Sequence, residues 1–160
     1  MRSGRRGHRF KSCRPDHSLS SILPVASDIG LSVFSRFSPA ASRVLRTAEQ
    51  ECRNHNHYYL GVEHLLLGLL HEPDEKIDRC LAERGLDRAE IAAAARRAMG
   101  TGDDRTWEGI LVTPRLRNVV ARAESLAGTD AVEPILLLRA VEEETGGLTV
   151  HLLQARPGRP

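Results

Sequence analysis

The chain has 160 residues and a formal net charge of +2, and 41% of its residues are hydrophobic although only 4% are aromatic. A core that is poor in aromatic residues and rich in leucine and alanine favours packed helices over a β-sandwich, so we predict an all-α fold. No uninterrupted apolar run reaches the roughly 18 to 20 residues that a membrane-spanning helix needs, which argues against a membrane protein.

Charge is distributed unevenly along the chain. Residues 1–36 carry seven basic and two acidic residues, whereas residues 37–160 carry 16 basic and 19 acidic residues. The basic excess therefore lies in a leader rich in Gly, Ser and Arg that has no helical period. Because nucleic-acid binding needs a basic face on the folded part, we expect no nucleic-acid partner.

Three explanations fit the leader, residues 1–36. It is a transit peptide, being rich in Arg and Ser, or a disordered tail, or the start is assigned too far upstream and translation begins at Val33. Arginine outnumbers lysine 21 to 2, which is typical of GC-rich coding and favours a bacterial source. We expect residues 1–32 to contribute nothing to the fold, and the protein to be cytoplasmic, or plastid-located if the leader is a transit peptide.

Helical patterns begin at Phe37. Ser38 is a good N-cap and Pro39 suits the first helical position, and apolar residues then recur at helical spacing as far as about Asn54. After the break "NHNHYYLG", the segment "VEHLLLGLLHE" is nearly all apolar. It predicts a buried second helix with Leu66 and Leu69 in the core.

Two further helices complete the first pattern. The segment "DEKIDRCLAERG" predicts a short helix that ends at Gly85, with Ile77, Cys80 and Leu81 facing inward. In "DRAEIAAAARRAMG", Asp87 is the predicted N-cap and a glycine closes the helix. Residues 101–111 are polar and aperiodic, which is typical of a linker.

The pattern then restarts, which indicates an internal duplication. Repeat one covers residues 37–100, and repeat two covers residues 112–156 without a fourth helix. Thr113 and Pro114 match the Ser-Pro start, and "VEPILLLRAVEEE" matches "VEHLLLGLLHE". The alignment pairs Val132 with Val62, Glu133 with Glu63, Leu148 with Ile77 and Leu152 with Leu81. Such copies usually pack against each other, so we predict one pseudo-two-fold helical domain.

Two segments resemble a known family. "RFSPAASRVLRTAEQEC" and "HYYLGVEHLLLGLLHEPD" are similar over about 55 residues to the N-terminal repeat domain of the Clp AAA+ unfoldases, especially the ClpC type. The resemblance extends from Phe37 to Gln154. It implies a domain that docks substrates, adaptors or protease partners.

Catalysis has little support in the sequence. There is no G-x-x-x-x-G-K-[ST] loop for nucleotide phosphates and no nucleophile elbow, so we expect neither an ATPase nor another enzyme, and no cofactor. The three cysteines lie far apart without a C-x-x-C spacing, which fits a reducing compartment. His55, His57, His64 and His71 surround Glu63 without a metal-ligand motif, so we interpret them as surface histidines and expect no metal.

The resemblance implies a ligand site in each repeat. In ClpC-type domains, a hydroxyl residue at the start of the repeat and the glutamate of G-T-E-H are implicated in binding phosphorylated arginine. The matching pairs here are Ser38 with Glu63, and Thr113 with Glu133. The expected function is a non-catalytic binding module of the Clp protease system; the alternative is a structural accessory subunit that controls assembly of the Clp peptidase core. The expected partners are a Clp unfoldase or peptidase and their substrates or adaptors.

Overall fold

The computed structural model describes residues 34–103, 110–145 and 147–154. The leader up to residue 33 and most of the predicted linker lie outside the described residues. The all-α prediction is confirmed, because the described residues form seven helices and only two strands of two residues each. In chain order these are α1 (Pro39–Asn54), β1 (Tyr59–Leu60), α2 (Val62–His71), α3 (Glu75–Glu83), α4 (Arg88–Met99), β2 (Leu111–Val112), α5 (Pro114–Ala127), α6 (Pro134–Glu142) and α7 (Leu148–Gln154).

The helices begin at side-chain caps that the sequence predicts. Ser38 Oγ accepts a hydrogen bond from the Ala41 backbone N–H at 3.2 Å, and Asp87 caps α4 by accepting from Glu90 N–H. Thr113 caps α5 in the same way as Ser38 caps α1, with an Oγ1–N distance of 3.2 Å. Each cap satisfies an amide that has no partner inside the helix.

Short parallel backbone pairings join the two repeats. β1 pairs with β2, with Tyr59 opposite Leu111, and a second parallel bridge joins Phe37 to Val132. Leu111, the last residue of the predicted linker, is the first residue of β2. The amide of Leu111 donates a hydrogen bond to the carbonyl of Tyr58 at 2.9 Å. The chain is extended at Leu111 because repeat one supplies this hydrogen-bond partner.

These pairings define how the two repeats correspond. The amide of Ser38 bonds to Val132 O, and the amide of Thr113 bonds to Leu60 O, each at 3.0 Å. Thr113 is therefore the counterpart of Ser38. In the same way, Val132 is the counterpart of Leu60, which lies 72 residues earlier. The alignment that pairs Val132 with Val62 is wrong by two residues.

Burial along the helices supports this correspondence. Leu137 and Leu138 of α6 are buried at the positions of Leu65 and Leu66 of α2, and all four are at most 1% exposed. Ala140 falls at the position that corresponds to Gly68. A side chain on Gly68 itself would collide with the Val44 carbonyl of α1. A small residue at this point lets the first two helices of each repeat pack closely.

The third helix of repeat two is also shifted relative to the prediction. Thr149 and Leu153 are buried at the positions of Ile77 and Leu81, again 72 residues later. Leu148 and Leu152, which were expected in the core, are only half-buried. Cys80 is likewise half-buried rather than fully inward.

The second helix of repeat one lies at the centre of the fold. α2 contacts α1, α4, α5, α6 and α7, and the predicted burial of Leu66 and Leu69 is confirmed by their exposure of 0%. α4 is held on α1 and α2 by side-chain bonds from Arg96 to Glu51 (Nη2–Oε1 2.7 Å) and from Arg88 to the Leu70 carbonyl (2.8 Å). None of the described helices is long and apolar enough to cross a membrane.

Candidate functional site

The four predicted site residues lie at helix starts, but their pairing crosses between the repeats. Thr113 bonds through its amide to Leu60, just before the first turn of α2 where Glu63 lies. Ser38 bonds in the same way to Val132, the residue before Glu133. The structure therefore brings Thr113 together with Glu63 and Ser38 together with Glu133, opposite to the pairing taken from the alignment.

The first of these places, the Thr113–Glu63 corner, consists of Thr113, Leu60, Gly61, Glu63 and Arg115. Glu63 is half-buried, and its carboxylate folds back over the start of its own helix. A Cβ atom on Gly61 would lie 2.8 Å from Glu63 Oε2, so the carboxylate lies close to the backbone of Gly61. The corner thus presents an acid and the N-terminus of α5 side by side.

An arginine of the chain itself is bound at this corner. Arg115 Nη1 lies 3.2 Å from Glu63 Oε1, and Arg115 Nε donates to Glu144 Oε1 at 2.6 Å. The hydrogen bond that Arg115 donates to Glu144 and the charge of Glu63 raise the pKa of Arg115. The corner therefore holds a guanidinium group between two carboxylates.

Glu144 and Gly147 complete this guanidinium site. A side chain on Gly147 would collide with Arg115 Nη2, so the guanidinium lies directly against the backbone there. Glu144 Oε2 is buried and has no hydrogen-bond partner among the described residues. The sequence prediction missed Arg115 and Glu144, because no motif links two residues so far apart along the chain.

The second place, the Ser38–Glu133 corner, consists of Ser38, Val132, Glu133 and Pro134. Ser38 is 4% exposed, so its hydroxyl is covered as well as engaged in capping α1. Glu133 is the half-buried N-cap residue of α6 without a side-chain capping bond, and it has no ion-pair partner among the described residues. This corner offers an unpaired carboxylate but a poorly accessible hydroxyl.

The acids at the two corners are not structurally equivalent. Pro134 lacks an N–H and takes the first position of α6, so Glu133 remains outside the helix in extended conformation. Under the correspondence of 72 residues, Glu133 matches Gly61 and the counterpart of Glu63 is Ile135. Glu133 reaches its corner from the N-cap, whereas Glu63 reaches its corner from the first turn.

The interpretation of the histidines as surface residues is wrong for two of them. His57 and His64 are 5% and 1% exposed, and His57 Nδ1 lies 2.8 Å from His64 Nε2. The amide of Gly61 donates to His64 Nδ1 at 3.1 Å. His64 can be buried because both of its ring nitrogens have partners, whereas His71 at the end of the same helix is exposed.

The bonding fixes the protonation of the histidine pair. Because His64 Nδ1 accepts from Gly61, its proton is on Nε2 and is donated to His57 Nδ1. Burial, with a smaller contribution from His57, lowers the pKa of His64 to about 4, and burial lowers the pKa of His57. The described part of the chain contains no group of three or more His, Cys, Asp and Glu residues that could hold a metal ion. The pair is a neutral structural link between the loop and α2.

The buried thiol of Cys52, near the end of α1, contacts the segment that follows this helix. Burial raises its pKa to about 11, and its Sγ donates to the carbonyls of His57 and Tyr59 at 3.2 and 3.1 Å. A protonated thiol bound to two carbonyls is a poor nucleophile. Cys52 therefore anchors β1 to α1.

Comparison with known proteins assigns the family. The family described as "Clp repeat (R) N-terminal domain" matches residues 36–156. The chain belongs to this family. Its Clp repeats are the two units that exchange backbone pairings through β1, β2 and the Phe37–Val132 bridge.

Relatives and solved structures agree with this assignment. The chloroplastic chaperone protein ClpC of Pisum sativum is 32% identical over 106 residues, which are 62% of this chain and 12% of that protein. The ATP-binding subunit ClpC of Staphylococcus aureus is 34% identical over 88 residues, 55% of this chain and 11% of that protein. The N-domain of ClpV from Vibrio cholerae has the same fold, with a TM-score of 0.57 at 18% identity, covering 69% of this chain and 68% of that one.

The Clp repeat domain is only a small part of the curated relatives. The chain spans about an eighth of the length of the Pisum sativum protein, of which 12% is covered. The matched region is the non-catalytic N-terminal module of Clp unfoldases, whose ATPase activity lies in other domains.

Proposed function

We propose that this Clp repeat domain recognises substrate or adaptor proteins of the Clp protease system, and that its ligands include phosphorylated arginine side chains. The observation that carries the proposal is the guanidinium of Arg115, held between Glu63 and Glu144 beside the N-terminus of α5. A corner that accommodates the chain's own arginine has the shape and charge for an arginine from another protein.

The two charges of phosphoarginine fit the Thr113–Glu63 corner. Carboxylates bind guanidinium groups strongly through paired, charge-assisted hydrogen bonds. Helix N-termini attract anions through unpaired N–H groups and the helix dipole. The guanidinium of the ligand would replace that of Arg115 against Glu63, while its phosphate lies toward Thr113 at the start of α5.

Exchange of Arg115 for a ligand is favoured by its exposure. The side chain of Arg115 is 47% exposed, so its ion pairs are screened by solvent and contribute only about 0 to 1 kcal/mol each. A displaced Arg115 would remain close enough to neutralise the phosphate. Arg115 thus occupies the site in the free domain and helps to bind the phosphate in the complex.

The Ser38–Glu133 corner is proposed as a second and weaker site. Its carboxylate has no ion-pair partner among the described residues, which suits a guanidinium. Its hydroxyl is covered, since Ser38 is 4% exposed. We expect weaker binding here, because the phosphate gains less from a buried N-cap.

Titration of the full chain with free phosphoarginine, followed by NMR or calorimetry, tests this proposal. Arginine and inorganic phosphate serve as separate probes of the two halves of the ligand. Glu63→Ala should remove binding at the Thr113–Glu63 corner. Glu90→Ala is the matched control, because Glu90 also lies in the first turn of a helix, α4, and is exposed.

Substitution of the internal occupant provides the sharper measurement. Arg115→Ala leaves Glu63 and Glu144 without a cation, so phosphoarginine should bind more tightly than to the natural chain. Weaker binding to Arg115→Ala would contradict the exchange. The absence of any saturable shift with phosphoarginine, or equal binding of inorganic phosphate alone, would contradict the ligand assignment.

A pull-down with the full chain identifies the partner. We expect recovery of a Clp unfoldase together with client proteins, from a cytoplasmic extract or, as the chloroplastic relatives suggest, from a plastid extract. Recovery of peptidase rings without clients would instead favour the structural accessory role in assembly of the protease core.

A further inference from the structure

A groove lies between the two repeats, and none of its lining residues belongs to either corner. It has a volume of about 400 Å³ and opens between α3 and α6. Its lining consists of four residues of α3 and two of α6, namely Lys76, Arg79, Cys80, Glu83, Ile135 and Arg139.

Helix geometry gives this groove two defined walls. The lining residues of α3 follow one another at intervals of three, one and three positions, so they share one face of that helix. The two lining residues of α6 are four positions apart and also share one face. At one end Arg84 joins the helices by an ion pair to Glu142, with an Nη2–Oε2 distance of 3.0 Å. This bond fixes the separation of the two walls.

The groove contains three cations without acidic partners. Lys76, Arg79 and Arg139 are exposed, and none has a carboxylate within ion-pair distance among the described residues. By contrast, a carboxylate pairs with each of Arg43, Arg84, Arg88, Arg96, Arg115 and Arg122. With Glu83 as its one lining acid, the groove carries an excess positive charge.

The corresponding groove of the other half is covered. Under the correspondence of 72 residues it lies between α2 and α7, and α4 packs against both of these helices. Among the described helices, none packs extensively against both α3 and α6. One groove is therefore covered by a helix, whereas the cations that line its counterpart, Lys76, Arg79 and Arg139, are exposed.

The residues that line the two grooves differ in chemistry. Arg139 matches Leu67, which is 1% exposed, and Lys76 matches Leu148. Cys80 matches Leu152. The covered groove has leucine at these positions, whereas the open groove has two cations and a cysteine. The open groove is therefore unsuited to an apolar helix such as α4 and suited to a negatively charged occupant.

We propose that the α3–α6 groove binds an acidic peptide segment of a partner protein. Carboxylates of the segment pair with Lys76, Arg79 and Arg139, and an apolar side chain between them contacts Cys80 and Ile135. α3 is about 14 Å long, which matches about four residues of extended peptide. This site is independent of the arginine-binding corners.

Fluorescence anisotropy of a labelled Asp-Glu-Leu-Glu-Asp peptide with the full chain tests the proposal. The amide peptide Asn-Gln-Leu-Gln-Asn is the uncharged probe. We expect saturable binding of the acidic peptide alone. The double variant Arg79→Glu, Arg139→Glu should bind it about tenfold more weakly or worse, while the matched double variant Arg97→Glu, Arg117→Glu should stay within about threefold of the natural chain.

A second readout uses the natural groove residues. In a Cys13→Ser background, saturating acidic peptide should slow alkylation of the half-buried Cys80, because the peptide covers it. An unchanged alkylation rate, equal weakening by the two double variants, or equal binding of the amide peptide would each overturn the proposal. Glu63→Ala should leave acidic-peptide binding unchanged, so that this site and the arginine-binding corners fail or succeed separately.

Discussion

The second helices of the two repeats, α2 and α6, share a position in the fold but not an environment. α2 is buried on nearly every side, with Leu67 1% exposed beneath a covered groove. α6 presents Arg139 to solvent at the matching position. The comparison teaches that one backbone arrangement becomes either interior or exposed surface according to whether a further helix covers it and which residues line it.

The largest expected effect tests this difference directly. Leu67→Ala should lower the free energy of unfolding by about 2 to 5 kcal/mol, as large-to-small changes in a packed interior do. Arg139→Ala should change it by less than about 0.5 kcal/mol, because the side chain is exposed. Chemical denaturation of both variants measures the two values.

Equal losses for the two variants would show that the grooves are covered alike, and would remove the basis for an open peptide site. Arg97→Ala, at an exposed position of α4, is the control for loss of an arginine outside the groove.

The second contrast concerns His64, whose counterpart in α6 is the apolar Leu136. His57 and His64 are neutral in the folded chain because burial lowers the pKa of each. In the unfolded chain, these histidines bind protons below the ordinary histidine pKa of about 6.5. Their contribution to the free energy of unfolding is therefore complete above that pH and is lost as the pH falls toward 4. We expect the free energy of unfolding to fall by about 2 kcal/mol more in the natural chain than in His64→Gln over this range.

Denaturation curves at several pH values give this difference. The exposed His71→Gln variant should retain the full pH dependence of the natural chain. If His64→Gln retained it as well, the neutral histidine pair would have no part in the acid sensitivity.

The smallest expected effects concern the N-caps that begin the two repeats. Ser38→Ala and Thr113→Ala should each cost about 1 kcal/mol of stability, because each leaves a helix amide without its acceptor. Ser125→Ala, at an exposed position inside α5, should cost nothing. Thermal unfolding measures all three, and a loss confined to one cap would show that the two repeat starts are not equivalent.

The helices could be predicted because their signals are local. Ser38, Asp87 and Thr113 cap the helices that the sequence assigns to them, and the apolar spacing identifies the buried faces. The correspondence between repeats could not be predicted in the same way, because the shared Val-Glu pair aligned Glu133 with Glu63. Pro134 and the backbone bonds to Leu60 and Val132 shift the true correspondence by two residues.

The site was only partly predictable for a similar reason. The family pattern indicates Thr113 and Glu63 separately, but their proximity depends on the bond from the Thr113 amide to Leu60 across the repeats. The burial of His64 depends on an acceptor for its Nε2 proton, which His57 supplies. The ion pairs of Arg115 with Glu63 and Glu144 join three helix ends, and no spacing in a single segment encodes such a meeting.

The crossed backbone pairing means that neither half of the molecule is complete by itself. The start of α1 takes its partner from the loop before α6, and the start of α5 takes its partner from β1. In the fold, these backbone groups of each half are therefore satisfied by the other half. We expect two fragments cut between α4 and α5 to assemble with each other. In this sense, the two repeats of the domain pair with each other as the two subunits of a symmetric dimer do.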